Sequence, residues 1–306
     1  LKDLSPLTTL VKGTCLLNEP MARHTSYGIG GPAAAYVRPA NREDLISVLD
    51  FAAENQVPIH IAGSGSNLLV ADSGVDGIIV ALNKTFTRLE FDGNRVYAEA
   101  GVILDHLVRM TIKRNLSGLE NLIGIPGTLG GALIMNAGAF GSEISDHLLK
   151  VHLINIQGQE KTIPAENLTF GYRSSSFQPD EIIVAAEFKL VSGSPADLKQ
   201  KQERAGSGRK SSQPLRFRSA GSVFKNPRPD LAAGYLIDKT GLKGTRVGDA
   251  EISTKHANFF INRGHATAND VVQLIKLTQA KVFEKFNIKL ELEIKTLGFE
   301  PGTFRS

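Results

Sequence analysis

GIPGTLGGALIMNAGAFG occupies residues 124–141, with glycine at 124, 127, 130, 131, 138 and 141. So much glycine works against a stable helix, so the stretch is expected to be a loop that brings backbone close to something else. Pro126 stiffens its first turn. Asn136 stands among small residues, where its amide is placed to face a flat ring system. Glycines that only let helices pack closely would give the same composition, and a second loop bears on the choice. GSGSNLLV (63–70) follows the apolar strand VPIHIAG (57–63). Small residues at 63–66 let the chain pass close to a ligand and turn amide hydrogens inward as an anion nest. Asn67 adds a side-chain amide. Two such loops suit an extended ligand with a diphosphate between two ring ends.

FAD has that shape. A Rossmann fold is rejected, because the G-x-G-x-x-G pattern needs a third glycine opening a helix and position 68 is Leu, followed by LVADSGVDGIIV. Outward from the loops, 33–38 reads as a strand and 42–55 as an amphipathic helix with Leu45, Val48, Leu49 and Ala52 on one face and Asn41 as its cap. A strand at 77–82, a hairpin of 86–91 and 95–100 around Asp92-Gly93, and a second helix at 102–115 follow. Strands return at 148–156, 159–163 and 181–191. SGSPADL (192–198) reads as a boundary before a polar helix to about 205, and the last third carries a helix at 269–286 and a strand at 288–297. The pattern is α+β in three subdomains, divided at 1–82, 83–192 and 193–306, with the last strand, 290–298, returning to the active site.

The 306 residues carry a net charge of only +4, with 42% hydrophobic and 22% charged residues, as in an ordinary globular protein. No apolar run reaches the roughly 20 residues of a membrane helix, and LKDLSPLTTLVKG at the start carries no secretory signal pattern. The single cysteine, Cys15, excludes an internal disulfide and a cysteine-rich metal site. A cytoplasmic location, no membrane insertion and no bound metal are expected. Basic residues cluster at Arg204, Arg209, Lys210, Arg216 and Arg218 without aromatic interleaving, which argues against nucleic acid.

Three segments set reactive side chains beside turns. In FGYRSSSF (170–177), Arg173 lies among aromatics and hydroxyls, where a guanidinium can grip a carboxylate. In SAGSVFKNP (219–227), Ser222 follows Ala-Gly, and Lys225 and Asn226 can donate hydrogen bonds. On a strand Ser222, Phe224 and Asn226 share a face opposite Lys225. In LELEIKTLG (290–298), alternation turns Glu291, Glu293 and Lys295 away from the core and does not choose between the two glutamates. Each segment also has a plain structural reading: a surface arginine, a turn serine, solvated carboxylates. His256 equally fits a core histidine. No G-x-S-x-G elbow is present, against a hydrolase triad.

Together TSYGIGGPA (25–33), GSGSNLLV, GIPGTLGGALIMNAGA, GYRSSSF, QPLRFRSAGSVFKNP (213–227), KHANFFIN (255–262) and LELEIKTLG resemble, in order, the UDP-N-acetylenolpyruvoylglucosamine reductase (MurB) family of peptidoglycan synthesis. The likeness runs from Thr25 to Gly298. It implies an FAD-binding domain of the vanillyl-alcohol-oxidase (PCMH) type in two subdomains, plus a smaller α+β substrate-binding domain. It implies non-covalent FAD, held by Thr25, Gly63, Ser64, Gly65, Ser66, Asn67, Gly124, Ile125, Gly127, Thr128, Gly130, Gly131, Asn136, Ala137 and Gly138. NADPH would be the co-substrate and a sugar nucleotide the substrate, which hydride from reduced flavin attacks at the enolpyruvyl methylene carbon, giving UDP-N-acetylmuramate for cell-wall growth and division.

The resemblance also gives roles. Arg173 and Glu293 match the family's pair that stabilises the enolate; a glutamate does so only if protonated or acting through Arg173 or water. Ser222 matches the proton donor to the adjacent carbon. Tyr172, Arg209, Gln213, Lys225, Asn226 and His256 are expected to hold substrate, and the basic cluster to attract its diphosphate. The 49 positions from Arg173 to Ser222 leave no room for the family's inserted tyrosine loop, so the shorter type is expected, as a monomer. Two rivals remain at this level. Another flavoprotein of the same fold would share the glycine loops without Arg173, Ser222 and Glu293; a binding protein would have no yellow colour.

Overall fold

The computed structural model describes residues 2–304. The chain divides into two compact units: Leu1–Leu17, Ala35–Ser64 and Gly77–Arg209, and Asn18–Ala34, Gly65–Asp76 and Lys210–Ser306. Both units are assembled from separate stretches of the chain. Long-range pairing is the reason. Lys295–Leu297 runs parallel to Leu68–Val70, and the Ser26 amide donates to Gly65 O at 3.0 Å, so 18–34 and 65–76 fold with the C-terminal third.

The first unit is built on two sheets. One has the order Thr14–Pro20, Pro32–Arg38, Val75–Ala81, Ile59–Ala62, the last two parallel. Helix Arg42–Glu54 buries Leu45, Val48, Leu49 and Ala52, and Asn41 Oδ1 caps it by accepting from the Asp44 amide at 2.9 Å. The other sheet is antiparallel, in the order Glu160–Pro164, Leu148–Asn155, Glu181–Lys189, Arg95–Glu99, Leu89–Asp92. Asp92 pairs with Arg95, so Gly93 and Asn94 make the hairpin turn.

Two elements differ from the sequence expectation. The glycine-rich stretch does contain a helix, Leu129–Ile134. Thr128 stands at its N-cap, and the Leu129 and Gly130 amides donate to Val102 O and Ala100 O at 2.8 and 2.9 Å. Tertiary contact supplies what the glycines lack in propensity. The polar helix runs on to Ser212 rather than ending near 205, and so carries Arg209.

The second unit packs Leu236, Ile237, Ile252, Phe260, Leu274, Ile275 and Val282 around Tyr27, Leu69 and Phe224. Its long helix, Ala268–Phe286, opens with a Thr267–Asp270 capping box and closes at the left-handed Asn287. Only Lys295–Leu297 of the strand expected at 288–297 is regular; ahead of it Leu292 bridges Phe224. Among the described residues no helix is long and apolar enough to cross a membrane.

Candidate active site

In the first unit Arg173 sits at the tip of a hairpin in which Phe170 pairs with Ser175 and Gly171 with Ser174. Its φ of +54° is left-handed, a conformation that costs a non-glycine residue of the order of 1–2 kcal/mol. Such strain persists where surrounding bonds enforce it, and here they do. Ser175 Oγ donates to Ile134 O at 2.8 Å. Asn136 Nδ2 donates to Gly171 O at 3.2 Å and to Glu143 Oε2 at 2.5 Å, and Asn136 Oδ1 accepts from Ser145 Oγ at 2.8 Å. Asn136 is fully buried, and its side-chain amide fastens the arginine hairpin to the glycine segment.

Arg173 has Tyr172 beneath its guanidinium at 5.1 Å from the ring centroid. Arg209 is close enough to feel its charge. Burial first, and then the positive Arg173, hold the Arg209 guanidinium below its ordinary pKa. Arg209 Nε also donates to Ile123 O at 3.1 Å, which places it over Gly124. Both guanidiniums are of the kind that grips an anion.

In the second unit Ser222, Val223, Phe224 and Lys225 form the middle of three extended segments. On one side Ser222 bridges Phe259. On the other, the Glu293 amide donates to Val223 O at 2.8 Å and the Lys225 amide to Glu291 O at 2.9 Å. The backbone thus separates the two glutamates that alternation left equal. Glu291 is exposed and lies 3.5 Å from Lys225 Nζ. Glu293 is half-buried, and its carbonyl accepts from Asn67 Nδ2 at 3.1 Å while the Lys295 amide donates to Asn67 O at 2.9 Å. The segment of Glu293 thus lies between that of Val223 and that of Asn67.

The first glycine loop shows a cradle that side chains would fill. A Cβ on Gly63 would lie 2.4 Å from Thr128 Oγ1, so the two glycine segments touch in the first unit. A Cβ on Gly65, whose φ is +66°, would lie 2.0 Å from His24 O in the second. Ile61, Ile103 and Ile134, on the segments around Gly63 and Thr128, are each about two-fifths exposed, apolar surface of the kind a flat ligand covers. These features fit FAD. Thr25 fits it differently from the expectation: it is buried, and its hydroxyl donates to Ile29 O at 2.9 Å, shaping the turn beside Gly65. Ala137 likewise spends its amide on Ala132 O and its carbonyl on the Ile144 amide, and Gly138 pairs with Glu143. Ile125 donates its amide to Leu122 O, and Gly124 and Gly127 adopt positive φ. Gly131 and Ser64 stay open or half-open, as does Ser66.

Among the expected substrate residues, Asn226 Oδ1 accepts from the Ala233 amide at the start of helix Ala233–Lys239. Gln213 is half-buried and its carbonyl accepts from the Leu215 amide. His256 packs edge-on to Phe259 at 4.8 Å, and its Nδ1 accepts from the Asn258 amide at 3.3 Å. Burial, then the charge of Lys243, lower its pKa, which favours a neutral ring. The basic cluster does not act as one patch: Arg218 donates to Thr25 O and Ser26 O, at 3.2 and 3.4 Å. The sequence reading missed Asn258 and Asn262. Both are buried, and Asn262 Nδ2 donates to Tyr27 O at 3.0 Å. The available signal was an asparagine at every fourth place in an apolar strand, since buried amides must find partners.

Comparison with known proteins bears on the whole chain. Residues 33–163 match the family model described as an FAD binding domain, and residues 213–297 that of the UDP-N-acetylenolpyruvoylglucosamine reductase C-terminal domain. The chain is 44% identical over 296 residues to the UDP-N-acetylenolpyruvoylglucosamine reductase of Syntrophus aciditrophicus (strain SB), covering 95% of each. It is 45% identical over 294 residues to that of Carboxydothermus hydrogenoformans, covering 95% of this chain and 97% of the relative. The crystal structure of UDP-N-acetylenolpyruvylglucosamine reductase (MurB) from Thermus caldophilus superposes with a TM-score of 0.81 at 36% identity, covering 94% of this chain and 99% of that one. The α+β division into an FAD-binding domain and a smaller C-terminal domain follows from these matches.

Proposed function

Given that the chain belongs to the UDP-N-acetylenolpyruvoylglucosamine reductase family, an FAD-dependent oxidoreductase family, we propose that it reduces UDP-N-acetylglucosamine enolpyruvate to UDP-N-acetylmuramate with NADPH, as a cytoplasmic step of peptidoglycan synthesis. The observation that carries this reading is the pairing of the segment after Ser222 with that of Glu293, through Val223 O and the Glu293 amide, next to Asn67 of the glycine loop.

FAD, when bound, supplies a hydride carrier between NADPH and the enolpyruvyl methylene carbon. Gly63, Ser64, Gly65, Ser66 and Asn67 hold it with the segment from Gly124 to Gly138, where Thr128 meets Gly63. Asn136 and Thr25 act there by shaping backbone. Arg173 and Arg209 take the substrate's anionic groups, which offset the repulsion between the two guanidiniums. Hydride addition makes the neighbouring carbon and its carboxylate an enolate. Arg173 stabilises that charge with Glu293, and Ser222 Oγ gives the carbon its proton. Tyr172, Gln213, Lys225 and Asn226 hold the sugar nucleotide, and neutral His256 contributes a hydrogen bond rather than a charge.

An anaerobic absorbance titration tests this. NADPH should bleach the flavin band and the enolpyruvyl sugar nucleotide should restore it. Bleaching without recovery would leave a flavoenzyme with another substrate; a colourless protein that takes up no added FAD would overturn the reading.

A further inference from the structure

KHANFFIN (255–262) supplies no reacting group to the chemistry above, yet one of its residues holds the reacting segment in place. Asn258 is 3% exposed. Its Oδ1 accepts from the Phe224 amide at 2.9 Å, and its Nδ2 donates to the Phe224 carbonyl at 2.8 Å. Its own carbonyl accepts from the Val223 amide at 2.8 Å. A side-chain amide here takes the part of a strand neighbour, satisfying both backbone groups of a fully buried residue. The opposite edge of the same segment carries Glu293, whose amide donates to Val223 O at 2.8 Å. The backbone amide of Asn258 donates to His256 Nδ1 at 3.3 Å. Whatever moves the backbone at 223–224 moves Ser222 and Glu293 with it.

We propose that Asn258 is a positioning residue for the reduction of substrate: its side-chain amide fixes the backbone of Phe224 and thereby the places of Ser222 and Glu293. The inference rests on the reading of Ser222 and Glu293 given above. Reacting groups displaced by an ångström lose about 10²-fold in rate.

The test measures both half-reactions by anaerobic stopped flow in FAD-loaded Asn258→Ala, Asn258→Asp and Ser222→Ala. The aspartate variant keeps the acceptor for the Phe224 amide but turns a carboxyl oxygen, in place of the donor, towards the Phe224 carbonyl. Flavin reduction by NADPH should stay near the native rate in both Asn258 variants. Reoxidation by the enolpyruvyl sugar nucleotide should fall by about 10²-fold in the alanine variant and at least as far in the aspartate one, in maximal rate rather than in half-saturation. Native reoxidation in Asn258→Ala, with Ser222→Ala slowed, overturns the proposal and leaves the reading of Ser222 standing. Native reoxidation in Ser222→Ala overturns that reading and the proposal with it. Equal loss in both half-reactions, or failure of both Asn258 variants to fold with FAD, makes Asn258 a folding residue and overturns the positioning role.

Discussion

The amide of Glu293 donates to the carbonyl of Val223 at 2.8 Å, which pairs the segment carrying Glu293 with a distant stretch of chain, the one carrying Ser222. Neither residue is unusual alone. The pairing sets the backbones of Ser222 and Glu293 on neighbouring segments, as the proposed site requires.

Ser222→Ala should leave NADPH oxidation by the bound flavin largely intact and block reduction of substrate. The expected loss in the second half-reaction is about 10²- to 10⁴-fold, the usual worth of a positioned acid. Single-turnover reoxidation checks it, and a native rate would make Ser222 a turn residue only.

Gly65→Ala should release FAD. Its φ of +66° costs an alanine roughly 1–2 kcal/mol, and the added Cβ would stand 2.0 Å from His24 O, a backbone atom that cannot swing aside. The measurement is the FAD dissociation constant by fluorescence; affinity equal to the native protein's would show that the loop does not carry the cofactor.

Glu120 should make stability depend on pH in acid. Burial pushes its carboxyl up, but hydrogen bonds from Lys201 and the Gly118 amide outweigh this and hold its pKa down to about 2, from an ordinary 4.5. With the folded value depressed, the contribution is present above pH 4.5 and is lost as the pH falls towards 2. Glu120→Gln should therefore cost about 1–2 kcal/mol at neutral pH, discounted because Lys201 is half in solvent. The gap in unfolding midpoint between variant and native protein should narrow as the pH is lowered through that window; a constant gap would refute the assignment.

Tyr27→Phe should stabilise the protein. The Tyr27 hydroxyl is buried with no hydrogen-bond partner among the described residues, and burial raises its pKa. An unsatisfied buried hydroxyl costs roughly 1–3 kcal/mol, which phenylalanine avoids at almost the same shape. A midpoint in urea no higher than the native one would mean that the hydroxyl is satisfied in solution.

What the sequence determined by itself was local. Periodicity and capping chemistry gave helix Arg42–Glu54 with its Asn41 cap, the long C-terminal helix and the strands of the antiparallel sheet. Glycine spacing marked both loops, because the conformations they need exclude most side chains. The ordered motifs were enough to place the chain in its family. The tertiary structure decided what depends on who lies beside whom. Alternation says which face of a strand a residue occupies and nothing about the neighbouring strand, so Glu293 and Glu291 separated only through Val223 and Asn67. The same reason turned Asn136 inward, fixed Arg218 to the turn at Thr25, gave Leu129–Ile134 a helix its glycines oppose, and drew 18–34 and 65–76 into the C-terminal unit. Hydrogen bonds between residues hundreds of positions apart leave no trace in local pattern, and those bonds build the site.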